Sequence, residues 1–176
     1  MIETLISSKT RVKLLLKFFL NSNNRSYLRN LETEFSESTN AIRIELNKFE
    51  KVGMLFSEYE GNKKIYRANT KHTLFPDIQS IVRKYTGIDS IIEYVVKELG
   101  DLKSVHLTGS YANGLESDTI ELIFTGNINE KFLTEICRKL EKKVNRKIVY
   151  KITKNQASFD ELFKDSDNNF LELWKR

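Results

Sequence analysis

An α+β chain in two parts is the fold class predicted here, and three observations predict it. Residues 1–75 hold three helical patterns followed by two strand-like runs across a Gly-Asn turn. Residues 76–176 alternate helical and strand-like runs, which suits a small α/β unit with a mixed sheet. The net charge of +5 also divides unevenly: 13 Lys and Arg face 8 Asp and Glu through residue 75, and 16 face 16 beyond it. A basic unit joined to a neutral one points to a polyanionic partner for the first alone. At 176 residues, 40% hydrophobic and 30% charged, the chain has the length for two small cores and the composition of a folded protein.

The elements follow in order. Leu5 to Leu20 reads as a helix, with Val12, Leu15, Leu16 and Phe19 on one face and Lys9, Arg11, Lys13 and Lys17 on the wet side, capped by Ser7 or Ser8. Asn21 to Asn24 stops it, and Ser26 caps a short helix through Leu28, Leu31 and Phe35. A third helix runs from Thr39 to Val52 between a Ser38 cap and Gly53. At 100° per residue Ile42, Leu46 and Phe49 form its packing face, while Asn40, Arg43, Asn47 and Lys51 cluster opposite, with Ile44 at their edge. Asn and Arg are the side chains that make bidentate contacts to base edges. Met54–Glu60 and Lys63–Ala68, parted by Gly61-Asn62, form a hairpin.

The segment 70–77, with the single proline Pro76, reads as the junction. Helices follow at 78–85 and 88–99, then an apolar strand through Val105 and Leu107 that runs into Gly109-Ser110. A second strand carries Glu121 through Phe124. Asn129 caps a helix through Leu133, Ile136, Cys137 and Leu140 whose far side is the basic run Arg138 to Lys147. Lys147–Thr153 alternates as a strand, Ser158 caps a short helix, and the tail holding Phe170, Leu171, Leu173 and Trp174 is expected to be a last helix.

Three helices and a basic hairpin resemble the winged helix-turn-helix regulators of the arsenic-repressor-like group over residues 8–70. The resemblance implies that Asn40, Arg43, Asn47 and Lys51 read double-stranded DNA and that Lys63 and Lys64 hold its phosphates. It also implies a homodimer. The arrangement Gly109-Ser110-x-Ala112-x-Gly114, followed by an acid on the next apolar strand, resembles the minimal nucleotidyltransferases of the polymerase-beta superfamily. There a Gly-Ser pair contacts the triphosphate, so Gly109, Ser110 and Gly114 are the expected nucleotide- or phosphate-binding residues. That family's Asp-x-Asp pair falls here on Thr119-Ile120-Glu121, and the later strand, Lys147–Thr153, has no acid. Glu121 is thus a vestige, and no catalytic residue, metal site or cofactor is expected. The winged helix followed by such a domain resembles a group of microbial transcriptional regulators.

The expectation is a cytoplasmic DNA-binding regulator, winged helix over 1–75 and nucleotidyltransferase-like domain over 76–176. The second domain serves ligand sensing, dimerisation or partner contact, with a nucleotide or phosphorylated molecule as the ligand. Two alternatives stand beside it: an active nucleotidyltransferase using Mg2+, and an antitoxin-like protein-interaction module. The longest apolar segment near the start is broken by Lys17, so no signal peptide and no membrane association are expected. Cys137 is alone, which excludes an internal disulfide. His106 is expected to be structural, and His72 has no partner at metal-ligand spacing.

Overall fold

The computed structural model describes residues 6–164 and 169–176. Two compact units divide the chain. One comprises residues 1–85 with 114–116, the other residues 86–113 with 117–176.

In the first unit, α1 (Lys9–Leu15) starts where the Ser8 hydroxyl accepts from the Arg11 N–H at 3.2 Å. The helical pattern expected from Leu5 begins outside the described residues. Beyond Leu15 the helix widens into a π-turn over Leu16–Leu20, which shifts the positions that follow. Lys17, read as a wet-side residue, is buried: its ammonium pairs with Glu34 at 2.8 Å and its carbonyl accepts from the Asn24 amide. The strand β1 (Arg25–Tyr27) precedes α2 (Leu28–Phe35). Ser26 therefore lies in a strand rather than capping a helix, and the cap position falls on Tyr27. Next come α3 (Thr39–Lys51), capped by Ser38, and the hairpin of β2 (Leu55–Glu60) and β3 (Lys63–Ala68). The antiparallel sheet has the order β1-β3-β2.

Helix α4 (Phe75–Thr86) begins inside the stretch read as a junction, and all but its last residue belongs to the first unit. Two contacts explain this. The Phe75 ring lies 5.6 Å from that of Phe19, and the Gln79 amide donates to the Phe19 carbonyl at 3.1 Å. Leu14, Phe18, Phe19, Leu31, Ile42 and Leu46 are fully buried and make the core.

The second unit contains α5 (Ile88–Glu98), β4 (Leu102–Thr108), a one-turn helix α6 (Gly109–Ala112) and β5 (Thr119–Gly126). It continues with α7 (Glu130–Val144), β6 (Lys147–Thr153), α8 (Gln156–Phe163) and β7 (Leu171–Lys175). The sheet order is β6-β5-β4-β7, with β5 and β6 parallel and the other pairs antiparallel, so the sheet is mixed. The chain is therefore α+β with two sheets.

The tail is a strand, not a helix. Leu171 and Leu173 alternate with Glu172 at a period of two, and Val105 and Leu107 on β4 face Trp174 and Leu171 across the ladder. No helix among the described residues is long and apolar enough to cross a membrane.

Strand register gives the second sheet one polar face. Ser104, His106 and Thr108 of β4 stand opposite Thr125, Ile123 and Glu121 of β5, and these in turn stand beside Thr153, Lys151 and Val149 of β6. Helix α8 covers this face through Phe159, whose ring lies 4.1 Å from that of His106. Cys137 is buried within α7, and burial with the neighbouring Glu141 pushes its thiol up to about 12. It stays protonated at neutral pH and is no nucleophile.

Candidate functional site

Two places carry the chemistry, one in each unit. In the first, α3 packs through Ile42, Leu46 and Phe49 and leaves Asn40, Arg43, Asn47 and Lys51 exposed as one ridge. Ile44 is exposed beside them. The core fixes the phase of the helix, because rotating it would bring Arg43 or Asn47 inward at the expense of buried apolar surface. A groove of about 610 Å3 runs beside the ridge, lined by Arg29, Arg43, Asn47, Asn62, Lys63 and Lys64 among others. Ridge residues and hairpin cations thus meet in one concavity.

The hairpin is less free to offer positive charge than its composition implies. Lys64 donates to Glu50 at 2.7 Å, and Glu50 also accepts from the Ser57 hydroxyl. The bond to Lys64, with that from Ser57, holds the Glu50 carboxyl below the usual carboxylate range, and Glu50 raises the Lys64 ammonium above its own. Arg25 donates to both Glu58 and Glu60 at 2.5 Å, while Arg67 lies 3.9 Å from Glu58. Lys63 rests 4.5 Å over the Tyr27 ring and has no carboxylate partner among the described residues. Sequence reading missed the Glu50–Lys64 bond because its partners are far apart in the chain and meet only when the hairpin folds back onto α3.

Beneath the ridge, Glu45 is buried. Burial works against its carboxylate, but bonds from Arg11 at 2.8 Å and Lys48 at 3.1 Å outweigh it and leave the group more acidic than usual. The pair ties α1 to α3 below the exposed face.

In the second unit a cavity of about 190 Å3 opens on the polar sheet face. Thr108, Gly109, Glu121, Ile123, Val149 and Lys151 line it, with Leu162 and Phe163 from α8. Gly109 has φ +66°, and a Cβ there would fall onto the Glu121 carboxylate. Only a glycine lets that carboxylate lie so close over the turn. Of the expected phosphate-binding residues, Gly109 alone lines the cavity. Ser110 is half-buried in α6. Gly114, at φ +70°, belongs to the first unit, where a Cβ would meet the Lys17 backbone. The glycines serve two separate close approaches, a distinction that motif spacing does not carry.

Among the described residues, Glu121 is the one carboxylate and Lys151 the one cation lining this cavity. Among the described residues no group of three or more His, Cys, Asp and Glu gathers at metal-binding distance.

His106 is buried against Phe159 and Phe170, its Nε2 lies 3.7 Å from Glu172, and its Nδ1 has no hydrogen-bond partner among the described residues. Burial pushes the imidazole below its ordinary range. Glu172 and Asp160 oppose that shift, and Lys175 adds to it. A depressed histidine pKa means that the unfolded chain binds the proton more readily than the folded one. Its contribution is whole above the unfolded value of about 6.5 and is lost as pH falls through 6.5 toward the folded value. The melting temperature should drop between about pH 7.5 and about pH 5.5, and His106→Gln should flatten that dependence. An equal drop in the variant would place the acid sensitivity elsewhere.

No protein-family model matches the sequence, and no curated protein matches it. Solved structures that share part of its shape include two from archaea. One is the protein AF1382 from Archaeoglobus fulgidus, at 22% identity over 54% of this chain and 97% of the other, with a TM-score of 0.37. The other, from Sulfolobus solfataricus, is named as a candidate nucleotidyltransferase and matches at 20% identity over 56% of this chain and 86% of the other, with a TM-score of 0.36. Likenesses this loose carry no argument about fold or activity.

Proposed function

We propose that this protein is a DNA-binding transcriptional regulator, with a winged helix in its first unit and a nucleotidyltransferase-like second unit that senses a ligand and does not catalyse. The observation that carries the proposal is the α3 ridge. Asn40, Arg43, Asn47 and Lys51 stand exposed on the side away from the core, beside a hairpin whose Lys63 lacks a carboxylate partner. A helix of this kind reads base edges from the major groove while a hairpin touches the flanking backbone. Operators for such proteins are paired half-sites, which makes a homodimer the working form.

The second unit supports sensing rather than turnover. Two-magnesium nucleotidyl transfer needs several carboxylates around the ions. Thr119 stands where the first acid would be, Glu121 is the sole carboxylate among the described residues lining the cavity, and β6 brings Lys151 instead of a third acid. This donor set does not fit the metal pair, so no step is routed through it. What remains is a small cavity with fixed charges, which is what a ligand sensor requires.

The test is salt dependence. If Lys51 and Lys63 of both protomers each neutralise a phosphate, affinity for a fluorescent duplex should fall about 150-fold between about 50 and about 200 mM salt, from a slope of about −0.9 per phosphate. A flat response, or no binding to duplex DNA at all, rejects the regulator reading.

A further inference from the structure

The cavity at Glu121 offers a ligand one negative charge, one positive charge and an apolar wall. Glu121 and Lys151 have no ion-pair or side-chain hydrogen-bond partner among the described residues. Ile123 and Val149 from the sheet, with Leu162 and Phe163 from α8, supply the apolar surface. We propose that this cavity binds a small zwitterion with an apolar body, of the α-amino acid type, with its ammonium on Glu121 and its carboxylate on Lys151. The assignment rests on the sensing half of the function proposed above and gives that sensor a ligand class.

Register sets the spacing. Glu121 stands beside Val149, and Lys151 stands beside Ile123, so the two charges lie on neighbouring parallel strands, on one face and two residues out of step. With strands about 4.8 Å apart and a rise of about 3.3 Å per residue, their Cα atoms are roughly 8 Å apart. A charge-assisted hydrogen bond spans about 2.8 Å, and the ammonium and carboxylate of an α-amino acid lie about 3 Å apart through their shared carbon. Glu and Lys side chains could close that Cα separation, but the Glu121 carboxylate is turned over Gly109 at the end of β4, on the side of β5 away from Lys151, and the ligand lies between the two charged groups.

Charge and size agree with this. A phosphate monoester carries about −1.5 to −2, and the backbone of the Gly109 turn, which would have to hold it, lies under the Glu121 carboxylate. Like charges would meet there with no second cation among the described residues of the cavity lining. A ligand of zero net charge meets no such repulsion. A cavity of about 190 Å3 is of amino-acid scale, and its apolar wall suits an aliphatic or aromatic side chain.

Calorimetric titration of the full chain tests the assignment, with leucine, methionine and phenylalanine as probes. Each is set beside its decarboxylated amine and its deaminated acid, and ATP with magnesium serves as the phosphate probe. At least one amino acid should bind, and its amine and acid analogues should each bind about tenfold more weakly or worse. Glu121→Gln and Lys151→Met should each lose about tenfold, while far-UV circular dichroism and Trp174 fluorescence remain those of the parent. Binding of ATP but of no amino acid would overturn the assignment, as would amino-acid binding indifferent to both substitutions. DNA retention by the same sample without amino-acid binding sinks this inference and spares the regulator reading. Amino-acid binding without DNA retention does the reverse.

Discussion

Phe19→Ala should remove about 3–5 kcal/mol from the stability of the first unit, the largest single loss expected in the chain. Phe19 is fully buried at the end of the π-turn, with its ring 6.4 Å from Phe49 of α3 and 5.6 Å from Phe75 of α4. Truncation leaves a cavity bordered by three helices. None of them can collapse into it freely, because the Phe19 carbonyl is itself held by Gln79. The loss therefore combines the transfer term with an unrelaxed void, which puts the cost toward the upper part of the range. Urea unfolding followed by far-UV circular dichroism measures it. The single tryptophan, Trp174, lies on β7 and reports the second unit separately. A loss below about 1 kcal/mol would mean that α1, α3 and α4 do not share this residue as their common core.

Phe19 also marks the limit of what the sequence revealed. Its burial was readable from helical spacing, and so was the helix of Thr39–Lys51, because Ser38, the apolar set and Gly53 all agree on the same boundaries. The π-turn was not readable, since Leu16–Leu20 is apolar nearly throughout and an extra residue in one turn leaves no mark in such a run. The strand Arg25–Tyr27 is too short to show a period. The tail was misread because Leu-Glu-Leu-Trp fits helix and strand alike, and only the neighbouring β4 decides between them. At the candidate sites, the exposed ridge could be read because it is the inverse of the packing face. The seat of the Glu121 carboxylate over Gly109, the departure of Gly114 to the first unit and the capture of Lys64 by Glu50 depend on long-range contacts, and no local pattern encodes them.

Arg43→Ala should weaken binding to a preferred duplex by about 1–3 kcal/mol, roughly 5- to 150-fold, and should relax the choice of base at one position of each half-site. Arg43 is exposed at the centre of the ridge, lines the groove beside Lys63, and has no ion-pair partner among the described residues, so its guanidinium is available to a ligand without breaking a bond first. Lys63→Ala is the contrasting case. A phosphate contact carries no sequence information, so its loss from both protomers should weaken all duplexes alike and make the salt slope shallower by about 1.8. Glu50→Gln should act in the opposite direction, because Lys64 of each protomer would lose the carboxylate that now holds it and could neutralise one more phosphate, which steepens the slope by about 1.8. Selection of bound sequences from a random pool, repeated for the parent and the three variants, separates these outcomes. If Arg43→Ala binds every sequence as the parent does while a second protein co-purifies with both, the exposed face of α3 is a protein-docking surface and the chain belongs with interaction modules rather than with DNA readers.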